Sequence, residues 1–416
     1  MNEKLKLDES NRLYKEAMEL IPGGVLGVLR PYNYIPKEYP IFFKTAKGGR
    51  VTDVDGNEYI DLMATFGAIV IGHAVDELDN AVIEEIRRGG FCTTLAQPVQ
   101  NTLARKLREL IPSCDKSILV KTGSDGTAAA IRIARAHTGR TKILRCGYHG
   151  WHDWSVDVKA GVPDGAYSDV VPFQYNDLDE VADLLKQHDN GVAAIITWPI
   201  HTPLGKPVEM PKPGYLEGLR ALADQHGAVL IFDELRTAFR VDLGGAQRML
   251  GVTPDLTVIG KAMANGYAIA AVVGREHIMK TAGAKVFISS TYFQNSFAQV
   301  AALKTIEILE RDDVIGVLKR KGERCIQRLA QVVKDSGVNC TVSGEAWMPH
   351  FTFNEATEMQ NMKTRFRFYT HLIRAGVFLS PFHHGFFIYQ HTDADLERVV
   401  TTVAEAMDEI RREQRS

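Results

Sequence analysis

The central part of the chain alternates short apolar runs with stretches of helical periodicity. The runs that predict strands are SILV (117–120), KIL (142–144), AAIIT (193–197), AVLIF (228–232), LTVIG (256–260) and AIAAVV (268–273). The helical patterns between them lie at 126–138, 178–188 and 214–226. Continuous apolar strands that alternate with helices are typical of a mostly parallel sheet covered on both faces. The pattern therefore predicts an α/β fold.

The flanking parts of the chain have a different pattern. The segment RVTDVDGNEYIDLM contains two alternating stretches around Asp55-Gly56, which predicts a β-hairpin. Helical spacing recurs at 9–20, 76–90 and 98–110, and dominates from about 297 to 413. We expect a large α/β domain and a smaller domain that the N-terminal segment joins. The expected boundaries are 1–50 for the N-terminal segment, 51–295 for the large domain and 296–416 for the small domain.

Composition narrows the class of protein. The chain has 416 residues, of which 45% are apolar, and a formal net charge of -2, which argues against nucleic-acid binding. It contains no run of 18 or more apolar residues and no signal-peptide core, so we expect neither a membrane span nor export. The five cysteines are scattered and form no CxxC pair, which indicates neither a metal site nor disulfides. A soluble cytoplasmic protein is the expectation.

A candidate anion site follows the first predicted strand of the central region. Thr122-Gly123-Ser124 comes directly after this strand and opens a predicted helix, with Thr127 one turn further on. Backbone N–H groups at a helix N-terminus, together with hydroxyl groups, suit a phosphate. Ser and Asp are also ordinary helix caps, so this stretch is compatible with a purely structural role.

Two charged residues end later predicted strands. Asp233 ends the apolar run AVLIF, and Lys261 follows Gly260 at the end of LTVIG. A solvated loop acid and a surface lysine would explain each residue taken singly. Ligands of open α/β sheets, however, bind at the carboxyl ends of the strands, where both residues lie.

Taken together, these features fit pyridoxal 5'-phosphate. This cofactor needs an anion cradle, a carboxylate at its ring nitrogen and a lysine for a Schiff base. The lysine must spend time as a neutral amine, and burial or a nearby cation lowers its pKa toward that form. The segment CGYHGWHDW adds Tyr148 as a candidate stacking group with His149 beside it, although an aromatic loop packed on the core would look the same.

On these residues the sequence resembles the class III aminotransferases, which are fold type I pyridoxal-phosphate enzymes. The resemblance implies a large domain with a mostly parallel seven-stranded sheet and a smaller α+β domain. The resemblance covers nearly the whole chain and is closest to the branch that contains glutamate-1-semialdehyde aminomutase. The matching stretches are IPGGV (21–25), DVDGNEYID (53–61), TGSDGTAAAIRIARAHTGR (122–140), YHG (148–150), FDE (232–234), FRV (239–241), PDLTVIGKAMANGY (254–267) and HTDADLERV (391–399).

The resemblance implies a set of cofactor contacts and a homodimer. These are Lys261 as the Schiff-base lysine, Asp233 as the partner of the ring nitrogen, Gly123 and Ser124 as the phosphate cradle, Tyr148 as the stacking aromatic, and Leu235 as an apolar contact with the ring. Thr291 matches a threonine that reaches the phosphate from the neighbouring subunit. This match implies a dimer with two shared sites.

Departures from the family pattern bear on the substrate. Trp198-Pro199 stands where the family usually has Glu-Pro, and the segment 376–392 has no matching arginine, so the usual mode of glutamate binding is not expected. Arg30 matches an arginine that holds a carboxylate in aminomutases. Apolar residues suited to a pocket, or equally to the core, are Phe66, Trp198, Trp347, Phe382 and Phe386. Other stretches resemble aminotransferases of large amines such as fumonisin-type polyketides. We therefore expect a substrate with a bulky, uncharged part next to the reacting carbon.

The resulting hypothesis is an aminotransferase that exchanges an amino group between an amine or amino acid and a keto acid or aldehyde. An aminomutase or a racemase would use the same cofactor chemistry and stays open as an alternative. A cofactor-binding regulator on the same fold would need a DNA-binding extension, and no basic helix-turn-helix pattern precedes residue 116.

Overall fold

The structure, a computed structural model, describes residues 4–27, 35, 37–39 and 42–414. The strands are β1 (Phe43–Lys47), β2 (Arg50–Asp53), β3 (Glu58–Asp61), β4 (Lys116–Val120), β5 (Lys142–Cys146), β6 (Val170–Pro172), β7 (Val192–Thr197), β8 (Val229–Asp233), β9 (Leu256–Ile259), β10 (Ala270–Gly274), β11 (Cys340–Ser343), β12 (His350–Phe353) and β13 (Val377–Phe378). The α-helices are Asp8–Leu20, Ala64–Gly67, Asp76–Arg87, Pro98–Leu110, Gly123–Thr138, Leu178–Gln187, Tyr215–His226, Ala246–Leu250, Glu276–Lys285, Ser296–Arg311, Val314–Ser336, Glu358–Arg374 and Asp393–Gln414.

The chain forms two compact units. The first comprises residues 1–75, 204–208 and 316–416, and the second comprises 76–203 and 209–315. Residues 51–75, which we expected in the large domain, are part of the first unit. The physical reason is the pairing of strands, because β3 lies beside β13 in one sheet with Ile60 opposite Val377.

The second unit is built on a seven-stranded sheet with the order β4-β10-β9-β8-β7-β5-β6. The strands from β9 to β6 are parallel, whereas β10 runs antiparallel to both β9 and β4. The six predicted strands are all present, and the predicted fold class is confirmed. The seventh strand, β6, has three residues and contains a proline, so its position could not be read from the periodicity.

Helices cover both faces of this sheet. Ala194 and Ile196 of β7 belong to a core cluster with the helix Gly123–Thr138, whereas Ile195 belongs to a cluster with the helices Leu178–Gln187 and Tyr215–His226. All six residues of β7 are buried. Two apolar faces on one strand explain why its sequence is a continuous apolar run instead of an alternating one.

The first unit contains a smaller sheet with the order β1-β2-β3-β13 and the two-stranded sheet β11-β12. The predicted hairpin is confirmed, since Val51 pairs with Tyr59 in antiparallel register. Asp53 shapes its turn by accepting hydrogen bonds from the backbone N–H groups of Asp55, at 3.0 Å, and Asn57, at 2.8 Å. The long C-terminal helices lie where the sequence predicted helical spacing.

Candidate active site

Polar side chains of the second unit gather at the carboxyl ends of its parallel strands. Tyr148 and His149 follow β5, Trp198 follows β7, Asp233 ends β8, and Lys261 lies two residues beyond β9. In β8 and β9, Asp233 pairs with Val258, which brings the segment before Lys261 alongside the carboxylate. Parallel strands end at one edge of a sheet, and this edge is where ligands of such sheets bind.

Asp233 is the most strongly hydrogen-bonded of these groups. Its carboxylate is 4% exposed. The Oδ2 atom lies 2.7 Å from Nδ1 of His149 and accepts a hydrogen bond from Nε1 of Trp198 at 3.3 Å. The Oδ1 atom accepts one from the backbone N–H of Leu235 at 3.1 Å. These contacts hold a buried carboxylate in one orientation.

His149 is held from both of its ring nitrogens. Its Nε2 atom lies 3.0 Å from the carbonyl oxygen of Cys146, which can only accept, so this nitrogen carries a proton. The Nδ1 atom faces Oδ2 of Asp233 at 2.7 Å. The backbone N–H of His149 donates to Oγ of Ser155 at 3.1 Å. His149 therefore acts on Asp233 from a rigid position.

Lys261 has an unusual environment and an unusual backbone. It opens a 3₁₀ turn, Lys261–Ala264, with φ at 46°, a left-handed value that side chains other than glycine rarely adopt. Burial, together with the positive charges of Arg236 and Arg240, lowers the pKa of Lys261 to about 7, against the opposing effect of Asp233. A lysine that is about half neutral near pH 7 can act as a nucleophile and as a base.

The predicted phosphate cradle lies at the N-terminus of the helix Gly123–Thr138. Thr122 is the N-cap: its hydroxyl accepts from the backbone N–H of Asp125 at 3.2 Å, and the Asp125 side chain accepts from the N–H of Thr122 at 2.8 Å. The helix therefore has a capping box, with Thr122 as the N-cap, where the sequence suggested Ser or Asp. The N–H groups of Gly123 and Ser124, the first two of the helix, have no intrahelical partner and remain suited to an anion.

Close packing requires glycine beside this helix. A Cβ atom at Gly123 would lie 2.4 Å from Cδ1 of Leu235, and one at Gly126 would lie 2.6 Å from Cγ1 of Val258. At Gly150, whose φ is 113°, a Cβ would lie 2.5 Å from Oγ of Ser124. The structure thus brings the predicted cradle, Leu235 and the loop after β5 together.

Two more predicted cofactor contacts lie at the surface of the second unit. Tyr148 is 40% exposed, and partial burial raises the pKa of its hydroxyl. Thr291 is also exposed, and its carbonyl oxygen accepts a weak hydrogen bond from Sγ of Cys92 at 3.5 Å. Both side chains are open to a ligand or to another protein chain.

The predicted pocket residue Phe66 belongs to the first unit. It lies in four consecutive residues, Ala64 to Gly67, that all have positive φ, at 45°, 50°, 57° and 86°. Phe66 and Phe382 line a cavity of about 490 Å³, and the Phe66 ring packs against His383 with centroids 5.0 Å apart. The other lining residues include the apolar side chains of Phe43, Val51, Met63 and Phe378 and the charged side chains of Lys44 and Asp61.

The remaining predicted substrate residues have other surroundings. Phe386 is fully buried, and its ring packs so closely on Gly67 that a Cβ there would lie 2.7 Å from it. Phe386 is therefore a core residue. Trp347 is buried as well. Trp198 lies beside Asp233 in the second unit, as described above. Arg30 lies outside the described residues.

Sequence reasoning did not single out two arginines and one acid near the site. Arg236 donates from Nη1 to Oγ1 of Thr202 at 3.0 Å, and burial lowers its pKa to about 10. Arg240 is 1% exposed, and burial lowers its pKa to about 9. Glu234 is fully buried and accepts from the N–H and the side chain of Gln247, both at 3.0 Å, so it is structural. The sequence signal that could have pointed to these three residues is the cluster of charged side chains that follows the apolar run AVLIF.

Comparison with known proteins identifies the family. Residues 34–392 match the family described as aminotransferase class-III. The chain is a class III aminotransferase. It is 54% identical over 412 residues to the 3-aminobutyryl-CoA aminotransferase of Cloacimonas acidaminovorans, with 99% of this chain and 100% of that protein covered. It is 34% identical to the glutamate-1-semialdehyde 2,1-aminomutase of Syntrophobacter fumaroxidans, with 96% and 97% covered.

A solved structure supports the same assignment. The FumI protein of Sphingopyxis sp. MTA144, in its PLP internal aldimine form, is 28% identical to this chain. The TM-score is 0.91, with 98% of this chain and 97% of that chain covered. The predicted family, activity and pyridoxal-phosphate cofactor of this class III aminotransferase are confirmed, and its substrates are small-molecule amines and keto compounds.

A metal site and a membrane span would each need a recognisable arrangement of the described residues. No group of three or more His, Cys, Asp or Glu side chains within these residues is arranged to hold a metal ion. None of the described helices is both long enough and apolar enough to cross a bilayer.

Proposed function

We propose that this class III aminotransferase removes the amino group from carbon 3 of a 3-aminoacyl coenzyme A thioester and transfers it to a keto acid. The observation that carries the proposal is the 54% identity, over essentially the full length of both chains, with a protein named 3-aminobutyryl-CoA aminotransferase. The other relative described above, a glutamate-1-semialdehyde aminomutase, is 34% identical.

The electrostatics of the chain agree with a thioester substrate. A free 3-amino acid carries a carboxylate that needs a cationic partner, and a buried carboxylate without one costs on the order of several kcal/mol. A thioester carries no charge at that position. Trp198 supplies an uncharged side chain where the family resemblance leads us to expect glutamate.

The residues of the second unit suit pyridoxal phosphate in defined roles. The N–H groups of Gly123 and Ser124 would bind the phosphate, because they form the positive N-terminal end of the helix. Asp233 would hold the proton of the ring nitrogen, with His149 fixing the carboxylate, and Tyr148 and Leu235 would contact the ring. When bound, the cofactor supplies an aldehyde for amine exchange and a ring that withdraws electrons from the reacting carbon.

Lys261 would be the attachment point of the cofactor and the group that moves the proton. Its lowered pKa, about 7, allows its Nζ to accept a proton from the carbon that bears the amine and to return it. The left-handed backbone at Lys261 supports this role, because strained residues persist at functional sites where the surrounding structure holds them.

We further propose that the enzyme works in the cytoplasm as a homodimer in which Thr291 reaches the phosphate site of the other subunit. The exposed surface near Thr291 supports an interface. Phe287 is 80% exposed and Tyr292 is 63% exposed, and large apolar groups clustered at a surface are typical of protein contacts. Two-fold dimers are the commonest oligomers.

Complementation tests the dimer. Co-expression of Lys261→Ala with Thr291→Glu would give heterodimers with one intact site, since the intact lysine and the intact threonine then meet in the same site. At equal expression about a quarter of wild-type turnover should return. Neither variant alone should exceed a few per cent. A mixture no more active than the sum of its parts, or a monomer by light scattering, would contradict the shared site.

Half-reaction kinetics test the substrate. The loaded enzyme is mixed with 3-aminobutyryl-CoA, free 3-aminobutyrate or glutamate, and the absorbance of the cofactor is followed in single turnovers. We expect the thioester to react at least ~10²-fold faster than the free acid, as expected when one buried charge is avoided. Comparable rates for the free acid would refute the thioester assignment, whereas a rapid reaction with glutamate would show only that its keto acid can serve as the acceptor.

The same experiment decides the rival activity. The 34% identity with a glutamate-1-semialdehyde 2,1-aminomutase favours that reaction as the second candidate. An aminomutase would convert glutamate-1-semialdehyde without any keto acid. An aminotransferase stops after one half-reaction until a keto acid is added, so omission of the acceptor separates the two.

A further inference from the structure

The hydrogen bonds of Asp233 leave one acceptor position in a defined place. Each carboxylate oxygen has two lone pairs. Those of Oδ2 are used by Nδ1 of His149 and Nε1 of Trp198. On Oδ1, the N–H of Leu235 uses one, and within the described part of the chain no other donor reaches the second. A single lone pair on a single oxygen is thus available to a further N–H group.

The indole of Trp198 is itself held in place. A Cβ at Gly147 would lie 2.9 Å from Cζ3 of the indole, so this glycine allows the ring to pack directly on the backbone. The ring of His149 meets it edge-on, with centroids 5.5 Å apart, and His201 lies on it at the same distance. The guanidinium carbon of Arg236 lies 5.6 Å from the ring centroid. The ring is 7% exposed and has little freedom to turn.

We infer that Trp198 is a positioning residue for Asp233: its indole N–H fixes which carboxylate oxygen faces the ring nitrogen of the cofactor. This inference rests on the proposed role of Asp233. A carboxylate held only by His149 and the Leu235 N–H could rotate and share its two oxygens among the donors. With Trp198 in place, Oδ2 is fully used, and only Oδ1 is presented to the cofactor.

The test compares Trp198→Phe with a matched control, Trp154→Phe. Trp154 is also buried, at 8% exposure, and stacks near His149 with centroids 6.4 Å apart. Its indole nitrogen has no hydrogen-bond partner among the described residues, so it does not touch Asp233. The two measurements are the pH titration of the absorbance of the bound cofactor, and kcat against KM.

In Trp198→Phe we expect the absorbance titration to move to higher pH. If Asp233 held the proton on the ring nitrogen of the cofactor less firmly, the cofactor ring would withdraw electrons less strongly from its bond to Lys261. We expect kcat to fall roughly tenfold, the size of one lost hydrogen bond to a charged group, with little change in KM. Trp154→Phe should leave the titration where it is. An unmoved titration in Trp198→Phe, or equal shifts in both variants, would overturn the inference.

A second measurement covers the outcome that Trp198→Phe does not fold. The benzothienyl analogue of tryptophan keeps the bicyclic shape and lacks the N–H, and it can replace all four tryptophans in a tryptophan auxotroph. The analogue-containing enzyme should show the same upward shift of the absorbance titration as Trp198→Phe. The analogue-containing form of Trp154→Phe must show that shift too. A normal titration in both would refute the role of the N–H.

Asp233→Asn separates this inference from the proposed function beneath it. If Asp233→Asn kept normal turnover and a normal titration, the proposed role of Asp233 would fail, and the role of Trp198 would fail with it. If Asp233→Asn abolished turnover while Trp198→Phe moved nothing, only the inference about Trp198 would be wrong.

Discussion

The lowered pKa of Lys261 makes a quantitative prediction about its reactivity in the apoenzyme. An ordinary lysine, with a pKa near 10.4, is neutral in roughly 0.04% of molecules at pH 7. Burial and the nearby arginines lower the pKa of Lys261 to about 7, so about half of the molecules carry a neutral amine at that pH. The neutral fraction is therefore about 10³-fold higher than for an ordinary lysine.

Competitive acylation of the apoenzyme measures this difference. Trace-labelled acetic anhydride is added between pH 5 and 11, and the labelled lysines are quantified by peptide mass mapping. Lys186, whose side chain is 71% exposed, serves as an internal reference for the reagent in the same digest. We expect the labelling of Lys261 to be half-maximal near pH 7. Labelling of Lys261 that is half-maximal near pH 10 would refute the argument that burial prepares this amine.

Arg236→Met tests the cause of the shift. Removing this positive charge should move half-maximal labelling of Lys261 to higher pH, because the cation no longer disfavours the ammonium form. Lys261 in this variant should still titrate below an ordinary lysine, since burial is the larger cause of the lowered pKa.

The lowered pKa of Lys261 also predicts how the stability of the apoenzyme depends on pH. Between pH 7 and about 10 the unfolded chain binds more protons at this residue than the folded chain does, so apoenzyme stability rises with pH in that window. Lys261→Met should remove that contribution to the slope.

Three further predictions concern catalysis and stability. Asp233→Asn should lower kcat by at least ~10²-fold while most of the cofactor is retained, because the amide keeps the shape and loses the charge; near-normal steady-state rates would place the essential charge elsewhere. Gly322→Ala should lower the free energy of unfolding by about 2–3 kcal/mol, since the new Cβ would lie 1.7 Å from the carbonyl oxygen of Ala346. Its control, Gly283→Ala, meets nothing within 4 Å in the helix Glu276–Lys285 and should be stabilising by roughly 0.5–1 kcal/mol in denaturant titrations. Arg374→Met should cost about 3 kcal/mol in the same titrations, because the Glu38 carboxylate loses two hydrogen bonds of 2.8 and 2.9 Å in a mostly buried pair.

Local patterns in the sequence determined the fold class and the main elements of the second unit. The buried strands are continuous apolar runs because both faces of the sheet are covered, and this feature is readable without coordinates. The family is equally readable, since many ordered stretches match it. Asp233 and Lys261 could also be found from the sequence, because each lies at the end of a predicted strand, where open α/β sheets bind ligands.

The tertiary structure decided how these residues act. Nothing in the order of residues says that the indole of Trp198 donates to Asp233, because the two are 35 positions apart and meet only when β7 and β8 pair. The lowered pKa of Lys261 depends on burial and on Arg236 and Arg240, whose positions are set by the loop after β8.

The boundary between the two units was also determined by tertiary structure. Strand β3 belongs with β13, more than 300 residues later, and a pairing of that range leaves no local periodicity to read. Local sequence thus determined the elements and the reactive groups of this aminotransferase. Long-range packing determined their protonation, their orientation and their partners, because each of those depends on what the folded chain excludes from water.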